Sequence, residues 1–433
     1  MGTSKIALSI ATGRAAAHRW KVLGVGVGAN ASVSAAAAGI PTTAVWLRAD
    51  YHLSTAGLGV GLGSLGLGVA LSELPWGLLS DRCGDRPVLL TGLAGTAAML
   101  AAIAWFVVPT AGGAPALGTL VAALCAVGLL GGSVNGASGR AVMAWFRDGE
   151  RGLAMSIRQT AVPLGGGLGA AMLPWLAASH GFAAVFGVLS ALCAGSAAFA
   201  WCWLHEPPAA VASAASASAS APAPTATAAM TAAAAAATAT GAPAGLLRDA
   251  AVWRVAVAIG ILCMPQFAVL TFASIFLHDL VHAGVAAISA TMVVLQAGAI
   301  AMRVWSGRFT DRRGNRRAWL RGSALVAAAS FAALALAVQF ALPAALLAAT
   351  IAVAGIGVSA WHGVAYAELA TLAGASRAGT ALGLANTLVY AGFFVTPLVI
   401  PPLLVAGSWA TVWAAAGLCA LVAWPLFPRA SRQ

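Results

Sequence analysis

Three features of this 433-residue sequence predict an all-α membrane protein with twelve transmembrane helices in two pseudo-symmetric six-helix bundles. The chain is 61% hydrophobic and only 8% charged, whereas a soluble domain carries about 25% charged residues and needs them to cover its surface. A polar ten-residue pattern, G-x-x-x-D-R-x-G-x-R, occurs twice, once from Gly77 to Arg86 and again from Gly307 to Arg316. Nearly all the Lys and Arg residues fall on one side of a simple alternating topology, which is how helix orientation is set.

Stretches of about 20 apolar residues are long enough to cross a bilayer. In order they are 22–46, 55–79, 88–108, 115–143, 153–177 and 181–204 in the first half, then 252–277, 285–307, 319–339, 343–367, 379–403 and 408–427 in the second. The first follows Lys5, Arg14, Arg19 and Lys21. It is longer than a signal-peptide core and no small-residue cleavage pattern ends it, so it reads as a retained helix. Pro41, Pro163, Pro174, Pro265 and Pro397 interrupt apolar runs, which membrane helices tolerate when neighbours satisfy the freed carbonyls.

With the N-terminus inside, 22 of the 23 Lys and Arg residues lie on the cytoplasmic side and Arg48 alone lies outside. A wrong helix count would scramble that partition, so both termini are expected in the cytoplasm of a bacterial-type inner membrane. The same partition accounts for the net charge of +12 without nucleic acid as a partner. Residues 207–246 are Ala, Ser, Thr and Pro with no charge or aromatic ring, a composition that makes a flexible linker. The domains are therefore 1–206, an N-terminal bundle; 207–246, a cytoplasmic linker; and 247–433, a C-terminal bundle.

The repeat extends beyond the motif. Residues 46–87 align without gaps on 276–317, placing Leu47 on Leu277 and Glu73 on Arg303. A second block aligns 152–165 on 379–392 and pairs Gln159 with Asn386 and Thr160 with Thr387. Two parallel repeats of this kind are a transporter architecture.

On the helix count, the two halves and the duplicated loop motif, the chain resembles the major facilitator superfamily of secondary transporters. The segment from Trp145 to Gly152, followed by Ser156 to Gly165, is similar to the cyanate-permease and related anion-carrier branches. The fifth helix has Gly165, Gly166, Gly167 and Gly169 but lacks the Gly-Pro pair of drug antiporters. The resemblance implies alternating access to a midplane site, with a small-molecule substrate and possible proton coupling. It also implies that Asp81 and Asp311 act in gating, beside Gly77 and Gly307, where a bare backbone lets a neighbouring helix approach. Arg82, Arg86, Arg312 and Arg316 are then expected to tie the loops to anionic headgroups of the bilayer, or simply to fix topology.

Polar groups inside apolar helices are costly and so are candidates for function. Asn30 and Gln266 lie near the middles of helices 1 and 7, and Gln159 and Asn386 on helices 5 and 11. Each amide fits substrate contact and interhelical glue about equally well. Arg158 could form a bidentate pair with a carboxylate or similar anion. Trp361 and His362 on helix 10 offer a stacking face and a titratable group. Glu73 and Arg303, opposite in charge at equivalent positions, suggest an inter-half gate, and Glu73 and His362 are the candidate proton carriers.

Gly61, Gly63 and Gly66 match the dinucleotide fingerprint, but they lie within an apolar span and serve packing better. His278 and His282 lack further metal ligands nearby, and the six Cys form no CxxC pair. No cofactor, metal or enzymatic chemistry is expected, and the protein is expected to be a monomer. Three readings stay open: an anion transporter, an efflux transporter for apolar compounds, and a non-transporting sensor or scaffold on the same fold.

Overall fold

A computed structural model describes residues 2–146, 154–155, 157–205, 249–373 and 378–429. The expected linker therefore lies outside the described residues. Among the described residues, eleven helical stretches are long and apolar enough to cross a membrane. One of them, Ile157–Trp203, has 47 residues and would extend about 70 Å, more than twice a bilayer core. It breaks at Gly181, whose φ of 74° is open to glycine and strained for other residues. The twelve spans are α1 (His18–Asp50), α2 (Thr55–Ser80), α3 (Asp85–Phe106), α4 (Leu117–Val142), α5 (157–180), α6 (182–203), α7 (Ala250–Asp279), α8 (Val285–Arg313), α9 (Arg316–Gln339), α10 (Ala344–Ala373), α11 (Thr380–Ala406) and α12 (Trp409–Leu426).

Two of these helices are interrupted near their middles. The helical run of α10 stops at Gly357 and resumes at His362. That of α4 stops at Gly131 and resumes at Ser133. Adding the 227-residue offset of the second repeat block to 132 gives 359, so both interruptions fall at the same place in the repeat. In α1, Pro41 lies in a short 3-10 segment, Ile40–Thr43. Pro174, Pro265 and Pro397 stay inside continuous helices.

The halves meet along α2 with α11, α5 with α8, and α1 with α7. Small residues make the first two contacts possible. A Cβ on Gly59 would lie 2.1 Å from the Pro397 carbonyl oxygen, and one on Gly166 would lie 2.3 Å from Gln296 Nε2. Most glycines of the stretch from Gly57 to Gly68 thus form a packing face against α11 and α4.

The two ends of the bundle differ. At the end opposite the duplicated motif, Arg48 on α1 and Asp279 on α7 form a bidentate pair, with both N–O distances 2.7 Å. At the motif end, each described ion pair stays inside its own half: Arg140 with Asp85 at 2.9 Å, Arg316 with Asp311 at 2.9 Å, and Arg317 with Glu368 at 2.6 Å. A Cβ on Gly77 or Gly307 would meet no atom within 4 Å. The close helix approach expected at those glycines is therefore not made in this conformation.

Candidate functional site

Side chains from α2, α4, α10 and α11, two helices of each half, form a cluster around Glu73 of α2. Its Oε1 lies 3.4 Å from Asn135 Nδ2 on α4 and 3.4 Å from Asn386 Nδ2 on α11. Asn135 also donates to the Tyr390 hydroxyl of α11 at 2.8 Å, and the Tyr366 hydroxyl of α10 donates to Asn386 Oδ1 at 2.8 Å. Two of these links, Asn135 to Tyr390 and Asn386 to Glu73, cross between the halves. A rocking motion that parts the halves here must break them.

Arg158, 5% exposed, sits beside this network at the start of α5. Its Nε donates to Ser138 Oγ at 3.0 Å. Its Nη2 reaches the Asn135 carbonyl oxygen at 2.6 Å, Ser138 Oγ at 2.9 Å and Asn30 Oδ1 at 3.5 Å. Gly139 keeps the wall of α4 low there, with a Cβ position 3.7 Å from the Arg158 guanidinium carbon. Asn30 is spent on the same support: its Nδ2 donates to the Gly26 carbonyl oxygen at 2.9 Å and to Ser138 Oγ at 2.8 Å. Only the Nη1 edge of Arg158 carries no hydrogen bond among the described residues.

Arg303 of α8 is held differently. Its half-buried guanidinium makes no hydrogen bond or ion pair among the described residues, and its Nε is buried without a partner. It lies within electrostatic reach of Cys263, His362 and Tyr366. His362 opens the second half of α10, with Nε2 3.9 Å from Cys263 Sγ and Nδ1 buried and unpartnered. Trp361 is fully buried and stacks on His362 with ring centroids 4.1 Å apart, so it backs the imidazole from inside the C-terminal half.

The structure thus brings together Asn30, Arg158, Glu73, Asn386, Arg303 and His362 of the residues singled out from sequence. Glu73 and Arg303 form no salt bridge with each other in this conformation. Gln266 on α7 is half-buried, and its Oε1 has no partner. Gln159 is exposed and outside the network. Of the loop residues, Arg86 donates to the Trp201 carbonyl oxygen at 3.0 Å, closing the end of α6, and Arg316 binds Asp311 in its own loop. Arg82 and Arg312 are exposed. The side chain of Asp81 lies outside the described residues.

Sequence reasoning missed Asn135, Ser138, Tyr366, Tyr390 and the buried Gln296. One signal was available: the chain has only 3 Tyr against 14 Phe and 15 Trp. A hydroxyl-bearing ring in an apolar helix usually seeks a partner, and two of the three meet here. Asn135 also carries the repeat-equivalent number of His362, since 135 plus the 227 offset is 362.

Two six-helix bundles with polar groups converging between them define a membrane transport protein. The chain belongs to the Major Facilitator Superfamily, whose family model matches residues 27–397. An uncharacterised MFS-type transporter of Mycobacterium tuberculosis strain CDC 1551 is 30% identical over 389 residues, covering 87% of this chain and 77% of the relative. Its counterpart in strain H37Rv matches to the same extent. Among solved structures, the proton:xylose symporter XylE bound to 6-bromo-6-deoxy-D-glucose superposes with a TM-score of 0.73 at 15% identity, over 94% of this chain and 95% of that one. The xylose transporter XylE from E. coli, in a partially occluded inward open conformation, gives 0.73 at 15% identity over 96% and 99%. At that identity the likeness is one of fold. The protein is a multi-pass membrane transporter of a small molecule.

Proposed function

We propose that this transporter carries a small organic or inorganic anion by alternating access, with Arg303 as the principal anion contact and the free edge of Arg158 as the second. The observation that carries the proposal is the half-buried Arg303 guanidinium, which makes no hydrogen bond or ion pair among the described residues and whose Nε is buried without a partner. An uncompensated cation at that depth is expensive, and a bound anion would offset the cost. The half-helix that begins at His362 adds a favourable dipole end beside it. An apolar or cationic substrate would leave the arginine uncompensated, so efflux of such compounds is the weaker reading.

Glu73 is the proposed proton carrier. Its carboxyl group lies 3.4 Å from two amides and forms no ion pair among the described residues, with Arg158 within electrostatic reach, so it can take up and release a proton as the links between the halves form and break. The motif-bearing end is assigned to the cytoplasm by its concentration of basic residues. With ion pairs joining the halves only at the other end among the described residues, the conformation is read as inward-facing.

The test is uptake of a panel of radiolabelled mono- and dicarboxylates and inorganic anions into proteoliposomes. Arg303→Gln is expected to lose uptake of the transported anion by at least about 100-fold, the effect of removing a charged partner worth ~3 kcal/mol. Its thermal stability should match or exceed that of the parent. Undiminished anion uptake by this variant would overturn the assignment.

A further inference from the structure

A second basic site lies away from the halves' interface, at the motif end of the C-terminal bundle. A cavity of about 540 Å³ opens between α7, α9 and the segment after α12, lined by Arg254, Arg317, Arg321 and Arg429 with Trp424. Its arginines are oriented by the protein. Arg254 Nη2 donates to the Pro425 carbonyl oxygen at 3.2 Å, and Arg321 Nη1 reaches the Phe427 carbonyl oxygen at 3.5 Å. The Arg321 guanidinium also stands over the Trp424 ring, 4.2 Å from its centroid. Arg317 and Arg321 stand on the first two turns of α9, whose N-terminus has no side-chain cap, so the helix dipole adds positive potential there.

The positive charge is poorly offset. Glu368 faces the cavity only through its bond to Arg317, at 2.6 Å. Asp249 caps α7 through the Ala251 amide at 2.9 Å, and Asp311 is taken by Arg316. In sequence, the segments before Asp249 and after Arg429, 207–248 and 430–433, contain no Asp or Glu. The cavity is larger than a lone small ion requires. It also sits where the spanning helices α7, α9 and α12 end, with the Trp424 indole in its lining. Trp favours that interfacial level.

We infer that this cavity binds the phosphate-bearing headgroup of an anionic phospholipid, with Arg254, Arg321 and Arg429 as the phosphate contacts and Trp424 against the glycerol region. Basic pockets between membrane helices recognise such headgroups through the same chemistry. The site is separate from the proposed substrate path and stands whether or not the substrate is an anion. It also differs from the motif loops, where Arg86 and Arg316 are already engaged by the protein.

The experiment is thermal unfolding of the full-length detergent-purified protein, titrated with phosphatidylglycerol, phosphatidylcholine or inorganic phosphate. Phosphatidylglycerol should raise Tm saturably, and phosphatidylcholine should not. Arg429→Gln, which lies beyond the last helix and leaves the bundle intact, should shift the half-saturating lipid concentration upward roughly fivefold, and Arg321→Gln by a similar factor. Arg308→Gln, an exposed arginine at the same end, controls for net charge and should not shift it. Equal responses from Arg429→Gln, Arg308→Gln and the parent would overturn the site. A free-phosphate response as large as the lipid's would overturn its assignment to a headgroup.

Discussion

Replacing Arg48 with alanine should open the end of the protein that the structure holds closed. Arg48 is joined to Asp279 by two 2.7 Å bonds, with side chains 26% and 31% exposed. An exposed pair contributes little, but the fork-to-carboxylate geometry places this one at the top of that range, ~1 kcal/mol after solvent screening. Asp279 also sits at the last residue of α7, where a carboxylate faces the negative end of the helix dipole. Arg48 offsets that repulsion, aided by His278 at 2.8 Å. Loss of the pair costs only the state in which it forms, so the ratio of closed to open conformers at this end should fall about 5-fold. Asp279→Ala should have a smaller effect, because it removes the unfavourable carboxylate along with the pair. The assay is double electron–electron resonance between spin labels at Ala56 and Ala287, exposed positions at that end of opposite halves, in a background without the six native cysteines. The expected result is a longer-distance population that grows in Arg48→Ala and is reversed in the Arg48→Asp/Asp279→Arg exchange. An unchanged distance distribution in Arg48→Ala would show that the pair does not hold this end shut.

Gly59→Val should act at the same end by sterics: its Cβ would lie 2.1 Å from a backbone oxygen that cannot swing aside, and ~1–3 kcal/mol of overpacking should lower Tm and widen the same distances. Ser138→Ala removes the acceptor shared by Arg158 and Asn30, so a loss of ~2–3 kcal/mol in unfolding free energy is expected along with a raised KM for the anion; Ser138→Thr should restore both, and an alanine variant with parental Tm would show that Arg158 is held by other means. Glu73→Gln should retain substrate counterflow while uptake stops responding to an imposed pH gradient; continued stimulation by an acidic exterior would place the proton elsewhere.

Much of the architecture was legible before any coordinates. The twelve apolar runs, the halves and the division of 153–204 into two runs all follow from local composition, because a bilayer imposes its length and polarity on every segment separately. The resemblance on the duplicated motif led to the same family. The interruption of α10 beside His362 was not foreseen, nor was the one in α4, since neither Gly132 nor Ser359 breaks the apolar pattern. The gate reading paired Glu73 with Arg303, and in this conformation the two form no salt bridge. Glu73 turns to the amides of Asn135 and Asn386, while Arg303 stands alone near His362.

The sequence by itself determined what each segment must be. Hydropathy, charge asymmetry and the internal repeat are properties of neighbouring residues, and they suffice to define helices, halves and a basic end. The tertiary structure decided which polar side chains meet. Asn135 and Tyr390 are 255 residues apart, and Asn386 and Glu73 are 313 apart. Whether such groups touch depends on the rotation of each helix about its axis and on how closely glycine faces let the halves approach. Those quantities are set by packing across the whole bundle. The difference between Arg158, hydrogen-bonded within its own half, and Arg303, which makes no hydrogen bond or ion pair among the described residues, could only appear there.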